Sequence, residues 1–107
     1  MPLINEFGDS IIEQATDIAP VNSNVTVTST SGPILAFNSG RKYAVIVNDS
    51  DADIYLALGV TAVVNKGILI KAAGGSYEIN ADNMFRGVVN GVTASGSKNV
   101  TVTEIAG

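Results

Sequence analysis

Between Arg41 and Ile79 the chain alternates short apolar segments with turn-forming residues, which is the pattern of β-strands joined by tight connections. In the first of these strands every residue from Tyr43 to Val47 is apolar or aromatic, so both faces of that strand are predicted to be buried. Because both of its faces are predicted to be buried, we expect this strand to lie inside its sheet and not at an edge. The four predicted strands are Arg41–Asn48, Ala52–Leu58, Ile68–Ile70 and Tyr77–Ile79.

The same pattern continues on both sides of this region. Near-identical segments, NVTVTS at 24–29 and NVTVTE at 99–104, alternate valine with polar residues and predict half-exposed strands. A shared threonine-rich, half-solvated environment explains their similarity better than pairing with each other at a sheet edge does. Two further strands are predicted, ILAFN after Pro33 and Phe85–Asn90, the second followed by Asn90-Gly91 as a hairpin turn. About eight short strands predict an all-β fold, an antiparallel β-sandwich or jelly roll.

The N-terminal segment has a different pattern. Ser10 and Glu13 have the spacing of a helix capping box, and Pro20 would end the short helix that follows. We therefore expect an N-terminal arm over residues 1–22 and a β-sandwich domain over 23–107. A two-turn helix is not stable alone, so its apolar face must dock on its own domain or on a neighbouring subunit. The predicted partner-binding residues of this arm are Ile11, Ile12 and Ile18.

Composition limits the function classes. The 107 residues include no His, Cys or Trp, so the most versatile general base, the best soft nucleophile and the usual zinc ligands are missing, and we expect no enzyme, catalytic residue or cofactor. The six basic residues are scattered and the net charge is −4, which argues against nucleic acid as a partner. No apolar run approaches the ~20 residues of a membrane span, and the N-terminus lacks the pattern of a signal peptide. With aromatics at 6%, the core must consist of Val, Ile, Leu and Ala.

Two local patterns resemble ligand sites. Asp49, Asp51 and Asp53 alternate as at the start of a calcium loop, but Ile54 and Val60 stand where such a loop needs Gly and a bidentate Glu. We expect a solvated turn and no metal site there. The Gly74-Gly75 pair lacks the sequence and helix of a phosphate loop, so a tight turn is predicted.

Eight Thr and ten Asn residues predict flat, polar, hydrogen-bonding sheet faces. Such faces suit packing in a symmetric protein assembly or binding of a sugar. A sugar site generally adds an exposed aromatic ring, which only Tyr43, Tyr55 or Tyr77 could supply. Tyr55 is the best candidate because it lies opposite to the inward Ile54 and Leu56; the alternative is a tyrosine that packs at the sandwich edge with its hydroxyl in water.

The central segment resembles small structural proteins of tailed bacteriophages, which include capsid decoration (cement) proteins, head fibres and tail modules. The resemblance is carried by Arg41-x-Tyr-x-Val-x-Val-Asn48, Ile54-Tyr-Leu-x-Leu-Gly59, Gly67-Ile-Leu-Ile70 and Gly74-Gly-Ser-Tyr-x-Ile79, about a third of the chain. It implies a non-enzymatic virion protein, assembled in the host cytoplasm, that binds and stabilises the phage head. The implied partners are the major capsid protein and further copies of this chain, for example in a trimer. The alternative is a receptor- or carbohydrate-binding tail, baseplate or head-fibre module.

Overall fold

The computed structural model describes residues 19–107, which form eight β-strands in two four-stranded antiparallel sheets with no helix in that range. The predicted helix and the predicted arm residues Ile11, Ile12 and Ile18 lie outside the described residues. The strands are β1 (Ala19–Val27), β2 (Gly32–Leu35), β3 (Arg41–Asn48), β4 (Ile54–Leu58), β5 (Ile68–Ile70), β6 (Ser76–Ile79), β7 (Val89–Thr93) and β8 (Lys98–Ala106).

The strand order decides between the two predicted all-β architectures. Sheet A has the order β1-β8-β3-β6, and sheet B has the order β2-β7-β4-β5. The pairs are nested, because β1 pairs with β8, β2 with β7, β3 with β6 and β4 with β5. A long antiparallel ribbon that rolls up into two packed sheets has this connectivity, which is that of a jelly roll.

The two near-identical valine–threonine segments pair with each other. In the β1–β8 ladder Val25 lies opposite Val100, and Asn24 lies opposite Thr101. Val25 and Val100 point inwards and join the core, whereas Asn24 and Thr101 face outwards. The two segments therefore pair directly within one sheet, with β1 at its edge, which is the less favoured of the two predicted explanations.

The core between the sheets is aliphatic, as the composition predicted. It contains only Val, Ile, Leu and Ala among its buried members, and the larger Tyr77, Met84 and Phe85 pack against it while partly exposed. A thin two-sheet core suits such side chains, since each inward position needs to fill only half of the roughly 10 Å between the sheets. Its buried members are Val27, Ile34, Leu35, Ala44, Ile46, Ile54, Leu56, Ile70, Ile79, Val89, Val100 and Val102.

Strand β7 corrects the prediction for its region. The predicted strand Phe85–Asn90 and the predicted turn at Asn90-Gly91 are wrong, because β7 spans Val89–Thr93 and contains both residues of that pair. The carbonyls of Phe85 and Gly87 accept hydrogen bonds from the Arg41 guanidinium, so this stretch does not form a ladder. Gly91 packs closely against Ile34, and a Cβ there would have to displace the end of that side chain.

Other strand ends differ by a few residues. Strand β1 begins at Ala19, five residues before the predicted start, and β2 contains Pro33, which an edge strand with a bulge tolerates. Strand β4 begins at Ile54 because the preceding residues form a turn. The predicted boundary between arm and domain, 22/23, stays a prediction, since most of that arm lies outside the described residues.

Strand β3 is an inner strand, as predicted, but only its inward face is fully buried. Ala44 and Ile46 are buried, whereas Tyr43, Val45 and Val47 are half-buried on the outer face. Its two ends are fixed by buried polar side chains that the sequence pattern did not single out. These are Arg41 and Asn48, both with no exposed surface.

The guanidinium of Arg41 makes four hydrogen bonds at one end of the sandwich. Its Nε donates to the Glu104 carboxylate at 2.7 Å, and its two terminal nitrogens donate to the carbonyls of Ala36, Phe85 and Gly87 at 2.6 to 3.0 Å. A buried cation is tolerated only when paired and hydrogen-bonded in this way. Arg41 therefore ties β3 and β8 to the connections that follow β2 and precede β7.

The amide of Asn48 fixes the opposite end of β3. Its Nδ2 donates to the carbonyls of Ala52 and Ile70, and its Oδ1 accepts the hydroxyl of Ser50 at 2.6 Å. The side chain thus pairs with one carbonyl of the turn between β3 and β4 and with the last carbonyl of β5. It joins sheet A to β5 of sheet B.

Candidate interaction surfaces

The outer face of sheet A is a broad polar surface, which we call the polar face. It consists of outward side chains from all four strands. Threonine and asparagine predominate on β1 and β8, while β3 contributes apolar groups that are half-buried between them. Its members are Asn22, Asn24, Thr26, Asn99, Thr101, Thr103, Tyr43, Val45, Val47, Ser76 and Glu78.

Side-chain hydrogen bonds hold several groups of the polar face in place. Thr103 Oγ1 donates to Asn22 Oδ1 at 2.7 Å, and Asn24 Nδ2 donates to Asn99 Oδ1 at 2.9 Å. Both bonds join β1 to β8. Because these side chains are already ordered, a partner that docks on them loses less conformational entropy than on mobile side chains.

The far edge of the polar face carries its charged group. The Tyr43 hydroxyl donates to Glu78 Oε2 at 2.6 Å, and this hydrogen bond is the main reason that the pKa of Tyr43 is raised. Asn80 Nδ2 donates to the other carboxylate oxygen of Glu78 at 3.3 Å. The negative charge of the polar face is therefore confined to β6, and β1 and β8 present neutral groups there.

A second surface feature is an open depression of about 430 Å³ at the Asn48 end of the sandwich, which we call the end depression. It brings together Asp51, Asp53 and Tyr55, three residues that the sequence singled out, whereas Asp49 is not among its lining residues. The other lining residues are Ala52, Val64, Asn65, Thr93, Ala94, Ser95 and Lys98.

Lysines neutralise the two carboxylates of the end depression. Lys98 Nζ donates to Asp51 Oδ1 at 2.7 Å, and this hydrogen bond and charge hold the pKa of Asp51 below its usual range. Lys71 Nζ lies 3.7 Å from Asp53, whose other oxygen accepts the N–H of Ala72. The depression is thus lined by paired charges, hydroxyls and an amide, a set that can exchange hydrogen bonds with a neutral polar ligand.

The three alternating aspartates diverge. Asp49 lies beside Asn99 Nδ2 at 3.4 Å, while Asp51 and Asp53 pair with different lysines. Within residues 19–107 no group of three His, Cys, Asp or Glu side chains is placed to hold a metal ion. Asp49 and Asp51 instead interact with residues of β8, and Asp53 interacts with the connection between β5 and β6.

Tyr55 lies on the outer face of sheet B and is half-buried. Its hydroxyl donates to Asn65 Oδ1 at 2.9 Å, across the connection between β4 and β5. Asn65 itself adopts a positive φ of 69°, as asparagine tolerates in a turn. The ring therefore forms part of the wall of the end depression and is less exposed than the sequence pattern predicted.

Several large apolar side chains are exposed outside these two surfaces. Val60, Val63 and Leu69 lie on the outer side of sheet B, and Phe37 follows β2. Val21 is 58% exposed on the inward side of β1, beyond the region that sheet B covers. No helix within the described part of the chain is long and apolar enough to cross a membrane.

Sequence reasoning missed Lys98 and Asn65 as members of the end depression. Lys98 is 47 positions from Asp51 and Asn65 is ten from Tyr55, and neither spacing belongs to a known local motif. These residues come together only because three connections between strands fold towards the same end of the sandwich. The Asn and Thr residues of the polar face were found because their alternation is visible within single strands.

Comparison with known proteins gives a likeness of fold. No family model matches the chain, and no curated protein matches it. Among solved structures, a protein of Bacillus endospore appendages, described as a novel family of disulfide-linked pili, matches with a TM-score of 0.52 and 19% identity. The match covers 83% of this chain and 85% of that chain.

Proposed function

We propose that this protein is a non-enzymatic structural protein that docks on a larger assembly, and specifically that it decorates and stabilises a phage head. The observation that carries the proposal is the polar face, a surface on four strands where side-chain hydrogen bonds already hold several groups in place. A neutral face of Asn and Thr suits docking on a repeated protein lattice. The choice of a phage head comes from the resemblance of the central strands to phage structural proteins.

The proposed mechanism is mass action. A ligand that binds only the assembled capsid lattice favours the assembled state, by an amount that grows with its concentration relative to its Kd. Many copies on one head act together, so each weak contact contributes to a large total. The major capsid protein is the proposed partner, and a virion is the proposed location.

The polar face can be tested with one charge. Thr101→Lys places an ammonium at the centre of this exposed face, where a docked lattice would have to desolvate it. We expect at least a tenfold loss of occupancy on empty phage heads that lack the protein, measured by co-sedimentation, on the order of 1.4 kcal/mol. The matched control is Thr61→Lys, also exposed but on the connection between β4 and β5. Equal occupancy for the two variants would contradict docking through the polar face.

The arm is the second part of the proposal. Ile11, Ile12 and Ile18 provide apolar groups that can dock on a neighbouring capsid subunit, at about 25 cal/mol per Å² of apolar surface before ordering costs. Deleting residues 1–18 keeps all the described residues of β1, Ala19–Val27. We expect the truncated chain to keep its fold and to lose head binding. Undiminished occupancy would show that the arm is not needed.

A fibre subunit is a related form of the proposal, favoured by the fold shared with the endospore appendage protein. The present chain has no cysteine, so a fibre that it forms is not linked by disulfides. A fibre subunit and a decoration protein differ in whether their assembly requires a capsid. Electron microscopy of the purified protein without heads distinguishes them, because a fibre subunit polymerises alone and a decoration protein does not.

The end depression favours a second candidate function, binding of a carbohydrate by a tail or head-fibre module. Its hydroxyls, amide and lysine-paired carboxylates lie beside the Tyr55 ring, a combination suited to sugars. A glycan array would show binding that Tyr55→Ala abolishes and Tyr43→Ala, on the opposite sheet, preserves. An array without any bound glycan would remove this candidate.

A further inference from the structure

Among residues 19–107, strand β1 is an unusually open sheet edge. Of the four edge strands, β5 has three residues, β2 has four with a proline and a bulge, and β6 has four with the charged Glu78. Strand β1 has nine residues, no charged side chain and a continuous register with β8. Natural proteins protect edges with short strands, charges, proline or bulges, and β1 has only Pro20 among these devices.

The backbone groups on the free side of β1 can be identified. Asp49 N donates to the carbonyl of Asn99, so Asn99 points towards β3 and its neighbour Val100 points towards β1. Val100 lies opposite Val25, which must therefore point towards β8. Alternate residues point the other way, so the N–H and C=O groups of Asn22, Asn24 and Thr26 face away from the sheet.

Two positions limit the length of β1 over which outward-facing backbone groups are available for pairing. Pro20 has no N–H, and the carbonyl of Thr28 already accepts a hydrogen bond from Thr93 N at 3.0 Å. Both belong to the same outward series as Asn22, Asn24 and Thr26. Asn24 stands midway between Pro20 and Thr28, four residues from each.

From this symmetry we infer that two copies of the chain pair antiparallel through β1, with the two-fold axis at Asn24. In that register Asn24 lies opposite Asn24 of the second copy, and Asn22 lies opposite Thr26. The two limited positions, 20 and 28, then face each other and end the pairing. Each of the three outward pairs exchanges two backbone hydrogen bonds, which joins the two A sheets into one sheet of eight strands.

The side chains agree with this register. Since β1 carries no charge, two copies meet without like-charge repulsion. On the inward side, Val21 comes to lie opposite Val27 of the second copy. Val21 is the exposed apolar residue of this strand and Val27 belongs to the core, so pairing extends the apolar contact to a side chain that a single copy leaves in water. The contact is self-complementary and closes at a dimer.

The inference does not rest on the proposed capsid role, because it concerns the purified full-length chain alone. Its mass in solution, from light scattering during size exclusion over a concentration series, should reach that of two chains. Asn24→Pro removes the outward N–H at the axis and should weaken dimerisation at least about tenfold. Asn24→Ala removes the same side chain but keeps the N–H, and it should remain dimeric. A single-chain mass throughout the series, or a three-chain mass that Asn24→Pro leaves unchanged, would overturn the inference.

Cysteine cross-linking tests the register itself, since the chain has no cysteine of its own. At the axis the two Cα atoms of a directly opposite pair lie about 5.5 Å apart, within disulfide range. Asn24→Cys should therefore give a covalent dimer under mild oxidation. Asn22→Cys is the control, because four residues of strand rise separate the two positions 22 by roughly 14 Å. Equal cross-linking of both variants would overturn the proposed register.

Discussion

The strands β3 and β1 belong to the same sheet and differ in almost every physical respect. Strand β3 lies inside the sheet, and each of its ends is fixed by a fully buried polar side chain. Strand β1 lies at the edge, and its first six residues are all exposed. We therefore expect stability to depend on β3, where the buried side chains of Arg41 and Asn48 have hydrogen-bond partners. We propose that binding depends on β1 and the adjacent polar face.

The largest expected effect concerns Arg41. In Arg41→Met the Glu104 carboxylate and three carbonyls lose their donor in a buried region, so we expect a loss of about 3–5 kcal/mol of unfolding free energy. Urea denaturation measures this value. The neighbouring exposed Lys42→Met is the control and should stay within about 0.5 kcal/mol of the natural chain. A loss below about 1 kcal/mol for Arg41→Met would break the contrast between the two strands.

Asn48 should give the next largest effect. Asn48→Ala leaves the carbonyl of Ile70 without its side-chain donor and the carbonyl of Ala52 with only the Ser50 hydroxyl, which should cost about 1–3 kcal/mol. The matched change on β1 is Asn24→Ala, which removes an exposed amide and should cost less than about 0.5 kcal/mol. Denaturation of both variants as monomers, at low protein concentration, compares the two strands directly. Equal losses would mean that the edge is as important for stability as the inner strand.

A smaller effect tests which backbone groups of β1 face outwards. Asn24→Pro removes an N–H that makes no ladder bond to β8, so the monomer should lose no more than about 1 kcal/mol. Val25→Pro removes an N–H that points towards β8 and should destabilise the monomer clearly more. Thermal unfolding followed by circular dichroism ranks the two variants. If Asn24→Pro were the more destabilising variant, the N–H groups of Val25 and its alternate neighbours would be the ones that face away from β8.

The smallest effect depends on pH and concerns the ion pair between Asp51, which follows β3, and Lys98, at the start of β8. The pKa of Asp51 is lowered by Lys98, so the folded state binds its proton less readily than the unfolded state does. The stabilisation is therefore present above the usual carboxylate pKa of about 4 and is lost as the pH falls through the lowered value. Denaturation of the natural chain and Asp51→Asn between pH 2 and 7 should show a difference that disappears in acid. A difference independent of pH would exclude the ion pair as its source.

Local patterns allowed prediction of much of the fold. Strands β3 and β5 have the predicted bounds, and β8 contains the whole of the predicted segment 99–104 and extends beyond it at both ends. The prediction failed at β7, because the pattern could not reveal that Arg41, more than forty positions earlier, uses the carbonyls before that strand. Tyr55 and the aspartates were recognised as candidates, but their lysine and asparagine partners depend on contacts between distant loops.

The sequence by itself determined the alternation of strands and turns, the aliphatic core and the polar outer positions, because side-chain direction in a strand follows from a period of two residues. Only the tertiary structure decided the nested strand order, the burial of Arg41 and Asn48, and the identity of β1 as the open edge. These features depend on which distant strands become neighbours, and hydrophobic periodicity contains no information about pairing partners. The same alternating sequence thus lies in an edge strand at 24–28 and in an inner strand at 99–103.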